Sequence, residues 1–370
     1  MLLNLSNLEP ASLLAAFDWA GPAGVVLRCL IVGWLTMVGA FIGSFINVVV
    51  YRMPSGISLV FPGSHCPICK HRIRGYDNIP ILSWLILRGK CRDCGVNIPP
   101  RYPLVEALYG TMFFILAVVM TLTNRDFWSI VEWSDERSLL AFLWGPYAGW
   151  MLMLSTLISA ALIIFDSHKI PDALFVPALI AGMLLSIFWS TIPMVSNHVG
   201  WPAWSDGFVG LLAGVVMSMS TYWIRNPEGS RYRHTPQVLA FATFGLYVGW
   251  QAVGVVAVGS GLVQLVSLLG PKWLRKALNW HTCLAIGGFF ALISWQETVN
   301  QFEFLGRQSS LLTFLIPVVC TSVIGVIHKF VAKPITFAPA EQDPLSPNEA
   351  EHESPPQIEG ADITSPNDAP

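Results

Sequence analysis

Two pairs of cysteines are the residues most able to do chemistry: Cys66-Pro67-Ile68-Cys69 and Cys91-Arg92-Asp93-Cys94, each a C-x-x-C, with twenty-one residues between the pairs. A pair on a tight turn aims two thiolates at one point. Two such turns complete the tetrahedral sulfur shell that zinc accepts, with Cys66, Cys69, Cys91 and Cys94 as the ligands. Four protein ligands leave no open position for water or substrate, so the expected metal is structural. Lys70, Arg72, Arg88, Lys90 and Arg92 lie close by and offset the negative charge of four thiolates on one dication. Two disulfides are the competing reading, and a reducing compartment opposes them. The other cysteines, Cys29, Cys283 and Cys320, fall in apolar stretches, where a small buried side chain is the default explanation.

The elements that must position these thiols are apolar to a degree that excludes a water-soluble fold. The chain has 370 residues, 54% of them apolar and 12% charged, with a mean hydropathy of +0.57. Apolar runs cover residues 24–51, 104–121, 139–165, 173–190, 207–223, 238–269, 282–295 and 309–327. Buried helices of a soluble protein would not repeat such long runs with almost no internal charge, so each run is expected to span a lipid bilayer. The run 238–269 divides into two crossings if the chain turns within residues 254–261, which makes the expected count eight or nine transmembrane helices. The expected fold is therefore all-α and polytopic, with one small loop domain outside the membrane.

Positively charged short loops stay in the cytoplasm. Lys70, Arg72, Arg74, Arg88, Lys90 and Arg92 fill the loop after the first span, whereas residues 124–138 hold more acids than bases. The four-cysteine loop is therefore expected to be cytoplasmic. Alternation then puts His168, Lys169, residues 225–233 and the cluster Lys272, Arg275 and Lys276 on the same side if the run 238–269 crosses twice. Residues before Gly24 lack the basic start and small-residue cleavage site of a removable signal peptide, so the first span is expected to stay as an anchor. Residues 340–370 hold eight acids, six prolines and no lysine or arginine, a composition that favours a solvated cytoplasmic tail. The expected organisation is residues 1–51 as N-terminal segment and first span, 52–103 as the zinc loop, 104–333 as the main helical domain and 334–370 as the tail. A net charge of −2 names no partner beyond the lipid bilayer, and no nucleic acid is expected.

Four features occur in order along the chain: Gly43-Ser44-Phe45-Ile46-Asn47-Val48-Val49-Val50-Tyr51-Arg52, the four cysteines, Asp77-Asn78-Ile79-Pro80, and Arg101-Tyr102-Pro103-Leu104-Val105-Glu106. In these the sequence resembles the type IV prepilin peptidases, leader peptidase and N-methyltransferase enzymes of the bacterial cytoplasmic membrane. The resemblance is dense from Gly43 to Gly110. It implies removal of a basic leader from prepilin or pseudopilin precursors, and methylation of the new N-terminus by S-adenosylmethionine. It also implies a role in methyl transfer for the glycine two residues before the third cysteine, here Gly89. The residue-level alternative is that Gly89 only permits the turn into Cys91.

Proteolysis in that family needs two aspartates from separate helices, one ionised as a base for water and one protonated as an acid. The first lies seven residues before the proline of a turn matched by Ile170-Pro171-Asp172, a position that reads Ile164 here. Asp166, five residues before Pro171, matches a second acidic position seen in many members. The second aspartate closes a G-x-G-D motif. Alignment on Phe244-Gly245-Leu246-Tyr247-Val248-Gly249-Trp250-Gln251 puts it at Gln237, preceded by Arg233-His234-Thr235-Pro236 without the glycines. Glutamine orients water but does not take its proton near neutral pH. Asp166 or Asp172, paired with an acid such as Glu228, is the remaining catalytic candidate. Ordinary roles compete: Asp172 suits a helix cap, Asp166 balances His168 and Lys169, and His234 is a solvated loop residue. The expectation is an enzyme of this family in which methyl transfer is better supported than cleavage. The alternative is a catalytically silent membrane scaffold that holds prepilins or regulates an active peptidase.

Overall fold

A computed structural model of the chain describes residues 21–119, 145, 147–188, 203–225, 235–306 and 310–331. Glu228, Arg233, His234 and the acidic tail lie outside them, as do the expectations that rest on those residues. Among the described residues there are helices and turns but no strand, as expected for an all-α chain.

Helix α1 (Pro22–Arg52) begins with proline at the position where a helix needs no N–H donor and ends with Arg52 in its last turn, where a cation meets the negative end of the helix dipole. It is apolar on every side. Val32, Leu35, Gly39, Gly43, Ile46 and Val50 are buried against α3 (Arg101–Val118), while Leu30, Trp34, Met37, Phe41 and Phe45 stay exposed on another face. A helix that is hydrophobic all round and only half covered by protein faces lipid with the other half. Between α1 and α3 lies the loop, with one short helix, α2 (Leu82–Ile86).

The remaining helices are α4 (Ala148–Phe165), α5 (Val176–Phe188), α6 (Ala203–Arg225), α7 (Thr235–Val248), α8 (Trp250–Ser267), the short α9 (Lys272–Ala277), α10 (Trp280–Gly306) and α11 (Ser310–Val331). Three described helices, α1, α3 and α4, are long and apolar enough to cross a membrane, and six shorter apolar segments accompany them. This is a helical membrane protein. Its apolar interior leaves no room for unpaired phenols: Tyr109 donates to the Ser155 carbonyl (3.2 Å), Tyr147 to Phe113 (3.0 Å) and Tyr247 to Ala178 (2.8 Å). Each bond ties two helices together. Helices α6 and α7 approach closely because Gly210 and Gly214 face the carbonyls of Gly245 and Phe241, which a Cβ would overlap.

The long run 238–269 is two helices, but they do not join at residues 254–261. The break falls at Gly249, whose φ of 88° no helix accommodates. Gly254 and Gly261 are helical and let α8 pack on Pro317 and Ile324 of α11. Their small size serves a helix contact.

Candidate functional site

The two C-x-x-C segments fold as a matched pair of knuckles. In the first, the Cys66 amide donates to the His71 carbonyl (3.0 Å) and the Lys70 amide to Cys66 (3.0 Å). In the second, the Cys91 amide donates to Val96 (2.8 Å) and the Gly95 amide to Cys91 (2.9 Å). The residue after each second cysteine turns left-handed, Lys70 at φ 59° and Gly95 at φ 71°. Isolated antiparallel bridges, His65 with Arg72 and Lys90 with Asn97, close the base of each turn.

The four sulfurs all lie within 4.8 Å of one another, and Cys66 Sγ is 3.8 Å from Cys94 Sγ across the pair. A tetrahedron built on metal–sulfur bonds of about 2.3 Å has edges of about 3.8 Å, so the donor set fits a thiolate-bound dication. No disulfide links these cysteines. The Cys69 backbone amide holds the Cys66 thiol down to about 6 against the opposing effect of burial. Cys69 itself is pushed up to about 12: the His71 amide favours its thiolate, but burial and the three neighbouring thiols outweigh it. Without a metal the cluster keeps protons that a dication would displace.

The rest of the loop is pinned by polar contacts rather than by a core. Asp77 accepts two hydrogen bonds from Arg92, at 2.8 and 2.6 Å, and Arg74 donates to Asp93 at 2.9 Å. The Arg92 hydrogen bonds hold the Asp77 carboxyl below the usual carboxylate range. Glu106, buried in α3, accepts from the Ile81 amide (2.6 Å), and Asn47 of α1 donates to the Tyr102 carbonyl (3.2 Å). Arg52 donates to the carbonyls of Ser58 and Pro62. A Cβ on Gly43 would sit 2.8 Å from the Glu106 backbone, so this glycine sets the approach of α1 to α3. The motif residues at 43–52 and 101–106 thus act as the frame from which the loop hangs.

Gly89 is built into that frame. Its φ is +67°, and a Cβ there would lie 3.0 and 3.1 Å from carbons of the Trp84 indole. Its amide donates to the Trp84 carbonyl (2.9 Å), its carbonyl accepts from Ile98 (2.7 Å), and Trp84 Nε1 donates to the Ile98 carbonyl (3.0 Å). Gly89 therefore locks α2 to the second knuckle.

The ends of α4, α5, α7 and α10 form a second, sparser arrangement. Ile164 is half-buried in the last turn of α4, and Gln237 is the third residue of α7, a helix that packs on α4. Neither position carries a carboxylate. Asp166 closes α4 and is engaged by Arg101, the first residue of α3, at 2.5 Å. Asp172 sits in a single turn of 3-10 helix, Asp172–Leu174, ahead of α5. It was expected to cap that turn, but its Oδ1 is buried without a hydrogen-bond partner. Among the described residues, Asp166 and Asp172 belong to no cluster of metal-ligating side chains.

One residue of this region was not anticipated. His281, in the first turn of α10, is 5% exposed, with its ring against the backbone of Pro236 at the start of α7. Its sequence signal was slight: one histidine opening an apolar run, two residues after Asn279. That asparagine caps α10, accepting from the amides of His281 (3.0 Å) and Thr282 (3.1 Å), and donates to the Ala161 carbonyl of α4 (3.4 Å).

A polytopic helical membrane protein carrying a four-thiol double-knuckle loop is a narrow class, and comparison with known proteins places the chain in it. Residues 37–120 match the Bacterial Peptidase A24 N-terminal domain. Over 295 residues the chain is 30% identical to the prepilin leader peptidase/N-methyltransferase of Aeromonas salmonicida (strain A449), covering 70% of this chain and 89% of that protein. Over 279 residues it is 32% identical to the type 4 prepilin-like proteins leader peptide-processing enzyme of Escherichia coli O78:H11, covering 68% and 90%. A Klebsiella pneumoniae prepilin leader peptidase/N-methyltransferase is 31% identical over 227 residues, 60% of this chain and 86% of that protein. The chain belongs to the prepilin leader peptidase/N-methyltransferase family. No solved structure matches it.

Proposed function

We propose that this chain processes type IV pilin-like or pseudopilin precursors, and that methyl transfer to the precursor N-terminus is better supported than leader cleavage. The observation that carries the reading is the contrast between a complete four-thiol loop and helix ends that lack a carboxylate at both Ile164 and Gln237. The names of the relatives favour an enzyme over the silent scaffold. The metal is zinc, in a structural role: four thiolates saturate it and its binding supplies folding free energy that a loop of this size cannot draw from a core. S-adenosylmethionine, which relatives named as methyltransferases imply, would supply an electrophilic methyl group to the precursor amine. A cleft of about 430 Å³ on the loop, lined by Ser64, Arg72, Ile73, Arg74, Gly75 and Asn78, offers guanidinium groups to the carboxylate of such a donor.

The protein works in the bacterial cytoplasmic membrane with the four-cysteine loop and the tail in the cytoplasm, a placement supported by the bases of residues 70–92. The domain division at residues 51, 103 and 333 belongs to the same proposal. Asp166 and Asp172 remain the acids to test for residual cleavage, and Gly89 acts in methyl transfer by shaping the loop.

The test is an assay in detergent with a prepilin from the same genome, scoring leader cleavage and labelled methyl incorporation separately. Methylation of a pre-cleaved precursor without cleavage of the intact one is expected. Efficient cleavage that Asp166→Ala abolishes would overturn the account of the helix ends. Neither activity, with precursor binding retained, would favour the scaffold.

A further inference from the structure

Helix α2 turns an apolar face outward from the loop. Leu82, Leu85 and Ile86 stand at i, i+3 and i+4, on one side of the helix, and are 55%, 57% and 71% exposed. The other side faces inward, with Ser83 buried and Trp84 against Gly89. A strained turn imposes this orientation. Ile81, at φ 63° and ψ −53°, centres a three-residue turn in which the Leu82 amide donates to the Pro80 carbonyl at 2.6 Å. A β-branched residue rarely adopts that backbone, and it persists only where the surroundings over-determine it. Here the buried Glu106 accepts from the Ile81 amide, while Ser83 Oγ accepts from the Ile79 amide (2.8 Å) and donates to the Tyr76 carbonyl (3.1 Å).

Glu106 also fixes the depth of α2. It lies in the second turn of α3, a helix long and apolar enough to cross a membrane, and helical side chains lean toward the N-terminus. The pinned Ile81 amide is therefore level with the first turns of α3, where Tyr102 and Leu104 are exposed. Asn47 bonds the Tyr102 carbonyl, which brings the end of α1, with its exposed Tyr51, to the same level. Exposed tyrosines at the ends of two crossing helices mark the boundary between membrane and water. The strained turn holds α2 at that boundary.

Charge selects the occupant of its face. Arg88 and Lys90, two and four residues after Ile86, are exposed and in no ion pair with a described residue. The acids of the loop, Asp77 and Asp93, are engaged by Arg92 and Arg74. With four thiolates on a dication, the bases at 70, 72, 74, 88, 90 and 92 still leave the loop positive. Three side chains on one short helix bury far less than the roughly 1,200 Å² of a specific protein interface, so this face alone does not hold a second copy. A fluid bilayer needs no matched surface and takes apolar side chains flanked by bases.

We propose that α2 is a lipid-docking element: Leu82, Leu85 and Ile86 enter the leaflet from which the loop emerges, and Arg88 and Lys90 meet its anionic headgroups. The contact seats the four-thiol loop against the membrane surface in one orientation.

The experiment uses the full chain, with a genetically encoded benzophenone side chain at position 86, in nanodiscs of phosphatidylcholine alone or mixed equally with phosphatidylglycerol. Illumination and mass spectrometry count lipid adducts at that position. Lipid adducts are expected in both membranes, with a yield about fivefold higher in the anionic one, since each base at an anionic surface contributes about that factor. Arg88→Gln with Lys90→Gln removes the anionic gain, and Leu82→Ser with Leu85→Ser lowers the yield in both membranes. All these side chains are exposed, so extraction of the metal by chelator should proceed at the wild-type rate. Cross-links to protein alone, whether to another segment of the chain or to a second copy, overturn the proposal. A lipid yield indifferent to lipid charge overturns it too. If the serine variant does not fold, the glutamine variant decides: an anionic gain that survives loss of both bases refutes the headgroup contact.

Discussion

The loop between α1 and α3 and the meeting point of α4, α7 and α10 are the two chemically equipped regions of this molecule, and they are equipped in opposite ways. In the loop the polar groups that set its shape are paired: four sulfurs in one cluster, Asp77 doubly bonded by Arg92, Glu106 holding the Ile81 amide. At the helix ends the Asp172 Oδ1 is buried without a partner among the described residues, and His281 is buried against the Pro236 backbone. A region that satisfies itself is built to hold a shape. One that leaves a buried polar atom unpaired, as at Asp172, carries a cost within an apolar setting. The loop is held by polar contacts and a thiol cluster, the helix ends by apolar packing around Ile163, Phe175, Phe241 and Trp280.

The strongest way to break the comparison is to take the metal away. Zinc binding to four thiolates contributes on the order of 10 kcal/mol to the folding of small domains, far more than the other contacts of the loop together. Cys91→Ser, or prolonged chelation, is expected to abolish metal binding, unfold the loop so that trypsin cleaves at the already exposed Arg88, Lys90 and Arg92, and eliminate methyl transfer, while α4 to α11 keep their helicity. Metal analysis of the wild type should give one ion per chain. A loop that stays protease-resistant after metal removal would show that the polar contacts suffice.

Gly89→Ala comes next. A left-handed alanine costs about 1–2 kcal/mol, and its methyl would press on the Trp84 ring at 3.0 Å. The expected outcome is faster extraction of the metal by chelator and a parallel fall in methyl transfer. Methyl transfer lost while metal retention is unchanged would instead put Gly89 in direct contact with the donor or the amine.

The two knuckles offer a finer comparison within the loop. They share one geometry, yet one uses Lys70 and the other Gly95 at the left-handed position. Lys70→Gly is expected to stabilise the metal-bound loop by about 0.5–1 kcal/mol and Gly95→Ala to destabilise it by about 1 kcal/mol. Chelator competition measures both. Equal and negligible effects would mean that the metal alone dictates the turns.

These differences track what could be read from the sequence. The cysteine ligands were legible because knuckle geometry is local: spacing within each C-x-x-C fixes the turn. Gly89 was half legible. Its place before Cys91 showed a turn, but the indole above it comes from α2 packing, which no spacing announces. The division of residues 238–269 into two helices was foreseen and its position was not, since Gly254 and Gly261 pack on α11 and a glycine contact looks in sequence like a glycine turn. Asp172 looked like a cap, and the structure leaves its Oδ1 buried and unbonded. His281 carried almost no signal, because its interest lies in what surrounds it. Burial is a property of the assembled bundle.

The smallest expected effect concerns the ion pair that, among the described residues, joins the two regions. Arg101 opens α3 immediately after the loop, and Asp166 closes α4. Their side chains are 44% and 18% exposed, so water screens the pair and its net contribution should lie below about 1 kcal/mol. A double-mutant cycle with Arg101→Gln and Asp166→Asn should give a coupling energy of that size and an unchanged methylation rate, because the helix contacts of α1, α3 and α4 already fix the relative placement of loop and bundle. Any cleavage should survive Asp166→Asn equally well, since this carboxylate is already engaged by Arg101. Should Asp166→Asn suppress cleavage while Arg101→Gln enhances it, the arginine would be restraining a catalytic acid, and the helix ends would be a working peptidase centre with its acids relocated.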